Sequence, residues 1–231
     1  MLRISILSIA LAILVNSLTL AIVRGFQHKI KDKITGFNAP LFISKAGSAH
    51  IFEAEALDRR IPFLAEVKNT PGVNGLEAVA YKPILLQSTR FNDTVQIATG
   101  KDSLVQRQDM LGLMLKGVEQ SYDWSFIQEH LIKGRLLNPL NNNEVLVSLN
   151  TANKLNIKLN EYISAYHIKQ QPLLKKLKVV GIYNTGFLEY DQKIVFGNLA
   201  LVQQMSDFGT RIAIRPQLDA LAHFLIKVEV E

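Results

Sequence analysis

The side chains that could do chemistry in this 231-residue chain are few and dispersed. Five histidines, His28, His50, His130, His167 and His223, include no close pair at metal-ligand spacing and read as surface or boundary residues. There is no Cys, which removes thiol catalysis, Cys-ligated zinc, iron–sulfur clusters and a disulfide scaffold. No G-x-S-x-G elbow, H-E-x-x-H helix or G-x-G-x-x-G turn occurs. Gly100-Lys101-Asp102-Ser103 looks superficially like a phosphate loop, but Asp102 stands where a hydroxyl must follow the lysine, and the segment reads as a turn. Glu53/Glu55 and Glu229/Glu231 alternate along the chain and read as solvated faces. The expectation is a non-catalytic protein, with no catalytic, cofactor-binding or metal-binding residue to assign.

Composition points to a membrane surface instead. With 48% hydrophobic residues and a mean hydropathy of +0.13, the chain is not disordered. Its net charge of +6 and pI near 9.4 suit an anionic partner, either nucleic acid or lipid headgroups. Tyr and Phe are not interleaved with Arg in a stacking pattern, which argues against nucleic acid.

The elements that must position any site begin with Ile4–Val23, a run without a charge, bracketed by Arg3 and Arg24. Roughly 20 apolar residues at about 1.5 Å each span a hydrocarbon core of ~30 Å. Ser5, Ser8, Asn16, Ser17 and Thr19 are more polar than lipid requires, and the preferred reading is that they face another helix. The alternative is that the hydroxyls bond back to their own backbone. A cleaved signal peptide competes with an uncleaved anchor, which the length of the run favours. Arg24, Lys29, Lys31 and Lys33 follow the span, so a literal positive-inside count puts the next domain in the cytoplasm, although long domains cross largely regardless.

Behind the span, Phe26, Ile30 and Ile34 recur every four residues and predict a helical extension that stops at Gly36. Span and extension would form one rod able to transmit movement; a helix resting its lysines on lipid phosphates is the equal alternative. Farther on, strands are predicted at 41–43, 77–86, 94–98, 144–148, 163–168, 177–182, 211–214 and 224–230. Helices are predicted at 61–67, 124–131, 149–155 and 198–205. Their irregular alternation predicts an α+β fold with mixed sheets. The strand pattern at 224–230 runs to the last residue, and the expectation is a piece of a larger protein.

Three stretches resemble one family. Leu18–Phe37 (LTLAIVRGFQHKIKDKITGF) resembles the first membrane helix and exit segment of permeases of the lipoprotein-releasing and macrolide-exporter type of ABC transporter. Gly117–Arg135 (GVEQSYDWSFIQEHLIKGR) and Asn143–Leu159 (NEVLVSLNTANKLNIKL) are similar to those proteins' pattern of L-x-x-G-R followed by E-[IV]-x-[IL]-S-x-x-x-A-x-x-L. Val179–Asp191 (VVGIYNTGFLEYD), with Lys193–Val202 (KIVFGNLALV), resembles the VVGIY-x-TG-x-x-E-[YF]-D segment of the lipoprotein-releasing members and is the most specific of the three.

The resemblance implies a transmembrane helix and stalk over 1–36, then a MacB-like periplasmic core over 37–231. That core would have a porter-like βαβ subdomain (39–87 and 207–231) with a mixed α/β subdomain (88–206) inserted. Three further membrane helices would normally follow, and residues before the first helix are missing too, which resolves the charge count toward an exported domain. The resemblance implies partners: a cytoplasmic ABC ATPase, a second permease copy or paralogue, lipoprotein cargo and a periplasmic carrier protein, at the bacterial inner membrane. The rod, with span ends Ile4 and Val23 and stalk residues Gly25, Phe26, Ile30 and Ile34, would pass the ATPase stroke to the outer domain. Partner contact is expected at the loops Asn138–Asn143 and Thr185–Asp191. A same-fold exporter of peptides or drugs, a cell-wall-hydrolase regulator and a stand-alone tethered binding module are the alternatives.

Overall fold

One helix, α1 (Leu2–Phe37), runs unbroken through the apolar segment and the extension behind it. In this computed structural model the chain is described at residues 2–37, 43, 63–71, 73–96, 102–167, 173–205 and 213–218. Ser8 Oγ donates to Ile4 O (3.0 Å) and Thr19 Oγ1 to Val15 O (2.8 Å), so these hydroxyls turn back on their own helix. Gly36 lies inside the helix, not beyond its end, because the helical turn closes only after Phe37.

The chain divides into two compact units, Met1–Asn38 and Ala39–Glu231. The second begins with α2 (Phe63–Lys68) and the long strand β1 (Val73–Gln87). A separate hairpin follows, β2 (Phe91–Gln96) with β3 (Asp102–Arg107), and then β4 (Met110–Val118). Next come α3 (Ser125–Glu129), β5 (Leu131–Gly134), β6 (Glu144–Ser148) and α4 (Leu149–Lys154). The described elements end with β7 (Tyr162–His167), β8 (Leu173–Tyr183), α5 (Leu188–Asp191), β9 (Ile194–Asn198), α6 (Leu199–Met205) and β10 (Ala213–Leu218). The fold is α+β with a mixed sheet, as the irregular alternation predicts.

Pairing closes most of that sheet on itself. β1 pairs β4, β4 pairs β9, β9 pairs β6, β6 pairs β8, β8 pairs β7, and β7 returns to β1 at Leu85–Gln87. β1 can serve two neighbours on one edge because it is long: its first half takes β10 and its last residues take β7. One face of this ring carries Leu86, Leu115, Val195, Val147 and Leu177, packed with Ala152 of α4 and Val202 of α6 into one core. Each such aliphatic side chain contributes about 1.5–3 kcal/mol on burial. At Gly117 a Cβ would sit 2.5 Å from Val202 Cγ2, so only glycine lets α6 lie this close to β4.

Of the three central strands β4, β9 and β6, the sequence pattern leaves the first two unassigned. β4 (MLGLMLKGV) is built of Leu and Met, good helix formers, with two glycines and one β-branched residue. Its burial on both faces explains the pattern. β9 (IVFGN) is fully buried and runs straight into α6. The helix predicted at 124–131 is shorter, because Leu131 already belongs to β5. Asp102 and Ser103 lie in β3, not in a turn. Of the strand predicted at 41–43 only Ile43 is among the described residues, and the strand predicted at 224–230 lies outside them, as do His50, His223, Gly100, Lys101 and both Glu pairs. The β1–β4 ladder carries hydrogen bonds across the 87/88 boundary expected between subdomains.

Candidate functional site

The residues expected to act as span ends and stalk lie on α1. Ile4 and Val23 are exposed at the two ends of the apolar stretch. Beyond it Phe26 is 65% exposed, Ile30 37% and Ile34 41%, an apolar stripe on an otherwise charged extension. On the opposite side His28 Nε2 lies 3.5 Å from Asp32 Oδ2, an i,i+4 pair. A Cβ at Gly25 would meet nothing within 4 Å, so packing does not require glycine there.

The loop Asn138–Asn143 is held from below. Arg135 grips Glu144 with both guanidinium nitrogens, Nη2–Oε1 2.6 Å and Nη1–Oε2 2.8 Å. The Asn138 backbone N–H and the Asn141 Nδ2 also donate to that carboxylate, at 3.1 and 2.9 Å. Asn198 Nδ2 donates to the carbonyls of Asn138 (2.9 Å) and Asn141 (2.7 Å). The side chains of Asn138 and Asn141 accept from the N–H groups of Leu140 and Asn143, local turns that fix the tip. The Arg135 hydrogen bonds, outweighing burial, hold the Glu144 carboxyl below its ordinary range. What this rigid loop presents is Leu140, 91% exposed.

In the second loop Thr185 and Asp191 are both buried and shape it from within. Asp191 accepts from Thr185 Oγ1 (2.8 Å), Thr185 N–H (3.2 Å) and Gly186 N–H (3.1 Å). Gly186 takes a φ of +67°, which explains glycine at that position. Ser148 Oγ, the N-cap of α4, donates to Asp191 O and ties the loop to that helix. Burial pushes the Asp191 carboxyl up despite its donors. Gly186, Leu188 and Glu189, which stand between the two expected there, are the ones that face solvent.

Two features escape sequence reasoning. Lys116 is fully buried, its Nζ 5.1 Å from the Tyr122 ring centroid, 5.3 Å from Phe196 and 5.8 Å from Tyr81, with Tyr122 Oη at 3.3 Å. Cross-strand pairing makes this cage, since Tyr81 opposes Lys116 and Lys116 opposes Phe196. On the same face of β1 and β4 an apolar cavity of about 690 Å³ is lined by Pro83, Leu85, Gly112, Met114, Tyr190 and Ile194. Among the described residues no group of three His, Asp or Glu is placed to hold a metal ion.

An apolar helix of membrane-spanning length precedes a mixed α/β domain along the chain. The chain belongs to the family of MacB-like periplasmic core domains, whose model matches residues 4–227. Among solved structures it is similar to the periplasmic region of MacB from Actinobacillus actinomycetemcomitans, at 13% identity over 78% of this chain and 73% of that one, with a TM-score of 0.45. No curated protein matches it.

Proposed function

We propose that this chain is the membrane-anchored periplasmic part of a permease for lipoprotein release. A separate cytoplasmic ATPase would hydrolyse ATP, and the chain would carry the stroke, with a second permease copy or paralogue, to lipoproteins held in the outer leaflet. A periplasmic carrier would then receive them. The observation that carries this reading is the unbroken helix Leu2–Phe37, whose apolar stripe continues past the uncharged stretch into a charged, water-facing one. The segment Val179–Asp191, with its resemblance to lipoprotein-releasing members, supports the cargo class. The subdomain division into 39–87 with 207–231 and 88–206 is part of the same proposal.

Depletion of the gene tests it. Lipoproteins bound for the outer membrane should accumulate in the inner membrane of depleted cells, measured by separating the two membranes. Normal sorting together with lost efflux of peptides or drugs would replace this reading with the exporter alternative.

A further inference from the structure

We infer that the apolar cavity over β1 and β4 is a binding site for one long acyl chain, laid across the strands over the opening that Gly112 leaves, with its polar head in water at the rim beside Glu189 and Lys193. The inference stands apart from the cargo proposed above, since it concerns a lipid chain on the folded domain, whatever molecule carries that chain.

Ladder register sets the floor. Pro83 opposes Met114, Leu85 opposes Gly112, and Met114 opposes Ile194. These residues share one face of the sheet, opposite the face that carries Leu86, Leu115 and Val195 into the core. Leu85 in turn opposes Tyr166 of β7. From β9 over β4 and β1 to β7, spacings of about 4.8 Å give a track of about 14 Å across the strands. The cavity volume of about 690 Å³ falls in the range of ligand sites, roughly 300–1,000 Å³.

Gly112 lies inside β4, where glycine weakens a strand and often marks close approach by a ligand or another backbone. Other strand glycines have a packing reason: an added Cβ would sit 2.5 Å from a neighbour at Gly117 and Gly181, and 3.0 Å from one at Gly197. At Gly112 the nearest atom would be Leu85 Cδ2 at 3.7 Å, an ordinary contact, and the backbone is not left-handed. Neither crowding nor conformation calls for glycine there. What the missing side chain does is keep space open above the floor. Met114, two residues along on the same face, has three rotatable bonds and adapts to a flexible occupant.

One wall is fixed before anything binds. Tyr190 stacks on Phe187 at 5.1 Å, and the hydrogen bonds from Thr185 and Gly186 to Asp191 hold their loop. At the other end is His167, its Nδ1 3.4 Å from Pro83 O. The floor between them selects the occupant. Sheet N–H and C=O groups point sideways to adjacent strands, so the face offers only side chains, and here those are apolar. A peptide segment would carry amides into a place with no partners for them, at a cost for each. An acyl chain carries none, and each methylene gains by leaving water. At the rim Lys193 Nζ and Glu189 Oε2 lie 3.0 Å apart, both exposed, so their charges cancel and select no particular headgroup. Recognition is by the chain.

The full chain in lipid nanodiscs tests this with a lysophosphatidylcholine whose palmitoyl chain bears a mid-chain diazirine. After irradiation, adducts mapped by peptide mass spectrometry should fall on 83–85 and 110–114 as well as on α1. Gly112→Leu fills the opening and should lower the yield on 83–85 about fivefold or more relative to α1. Gly112→Ala, whose Cβ has room, should lower it about twofold at an unchanged urea midpoint, which keeps the test independent of any strain in the leucine variant. Adducts on α1 alone, or floor adducts that neither variant lowers, would overturn the inference. So would floor labelling by a diazirine-bearing leucine-rich peptide in place of the lysolipid. A diacylated cysteine peptide with the same photoreactive chain identifies the source. Stronger floor labelling than by the lysolipid makes lipid-modified cargo the donor of the chain, and weaker labelling makes the donor a membrane lipid. Either result upholds the acyl site, and only the first connects it to lipoprotein release.

Discussion

Arg135 and Glu144, nine positions apart in sequence, meet in a two-pronged ion pair of 2.6 and 2.8 Å that closes the base of the loop carrying Leu140. The Glu144 side chain is almost wholly buried and accepts four hydrogen bonds, so the loop geometry hangs on one carboxylate.

That carboxylate predicts an acid-sensitive loop. Its pKa is lower folded than unfolded, so its stabilisation is complete above the unfolded value of about 4.3 and is lost as pH falls through the lower folded value. Glu144→Gln should cost about 2 kcal/mol at pH 7, read from the urea midpoint of the detergent-solubilised chain. The gap from the native protein should close below about pH 4. A gap independent of pH would show that shape, not charge, matters here.

Asp191 has the opposite sign. Burial raises its pKa, so its ionisation weighs against the fold progressively as pH rises from the unfolded value toward the folded one. Asp191→Asn should therefore gain on the native protein over that rise. Asp191→Ala takes the acceptor from the buried Thr185 N–H and hydroxyl and should cost about 2–3 kcal/mol. Proteolysis within 184–192 under native conditions should be faster only in the alanine variant.

Lys116 is held by its surroundings on every side. Lys116→Ala removes a long buried stem from among three rings and leaves the Tyr122 hydroxyl short of a neighbour. The expected loss is about 2–4 kcal/mol, with a blue-shifted or quenched emission change at Trp124, whose ring packs 4.9 Å from Tyr122. An unchanged urea midpoint would mean the cage is incidental.

The contrast between what the residues disclose and what they hide follows from how local each signal is. β6 is legible as EVLVS because a short β-branched run followed by a capping Ser and a helix needs no distant partner. α1 is legible because an uncharged run followed by Phe26, Ile30 and Ile34 at helical spacing needs no distant partner. β4 is hidden because its Leu and Met favour helix in isolation, and only the ladders to β1 and β9 select strand. Lys116 is hidden for the same reason: nothing in its own segment announces Tyr81 and Phe196, which arrive from distant ones. Thr185 and Asp191 were expected at a contact surface because polar loop residues usually face water, but the Gly186 turn folds them inward.

The last prediction separates a lever from an anchor. If Phe26, Ile30 and Ile34 only rest near the membrane, breaking the helix among them changes little. If α1 transmits a stroke, its stiffness between Val23 and Phe37 is what matters. Proline at Ile30 removes one backbone hydrogen bond and clashes with the preceding turn, at a cost of about 3 kcal/mol, and kinks a helix held at both ends. In the assembled transporter Ile30→Pro should still hydrolyse ATP but release little lipoprotein. Ile30→Ala keeps the helix while removing apolar contact, and should retain more release than Ile30→Pro. Both activities can be followed in the same proteoliposomes, as phosphate liberated and as lipoprotein appearing on a soluble carrier. Release by Ile30→Pro at the native rate would show that no stroke passes through this segment, leaving α1 as an anchor only.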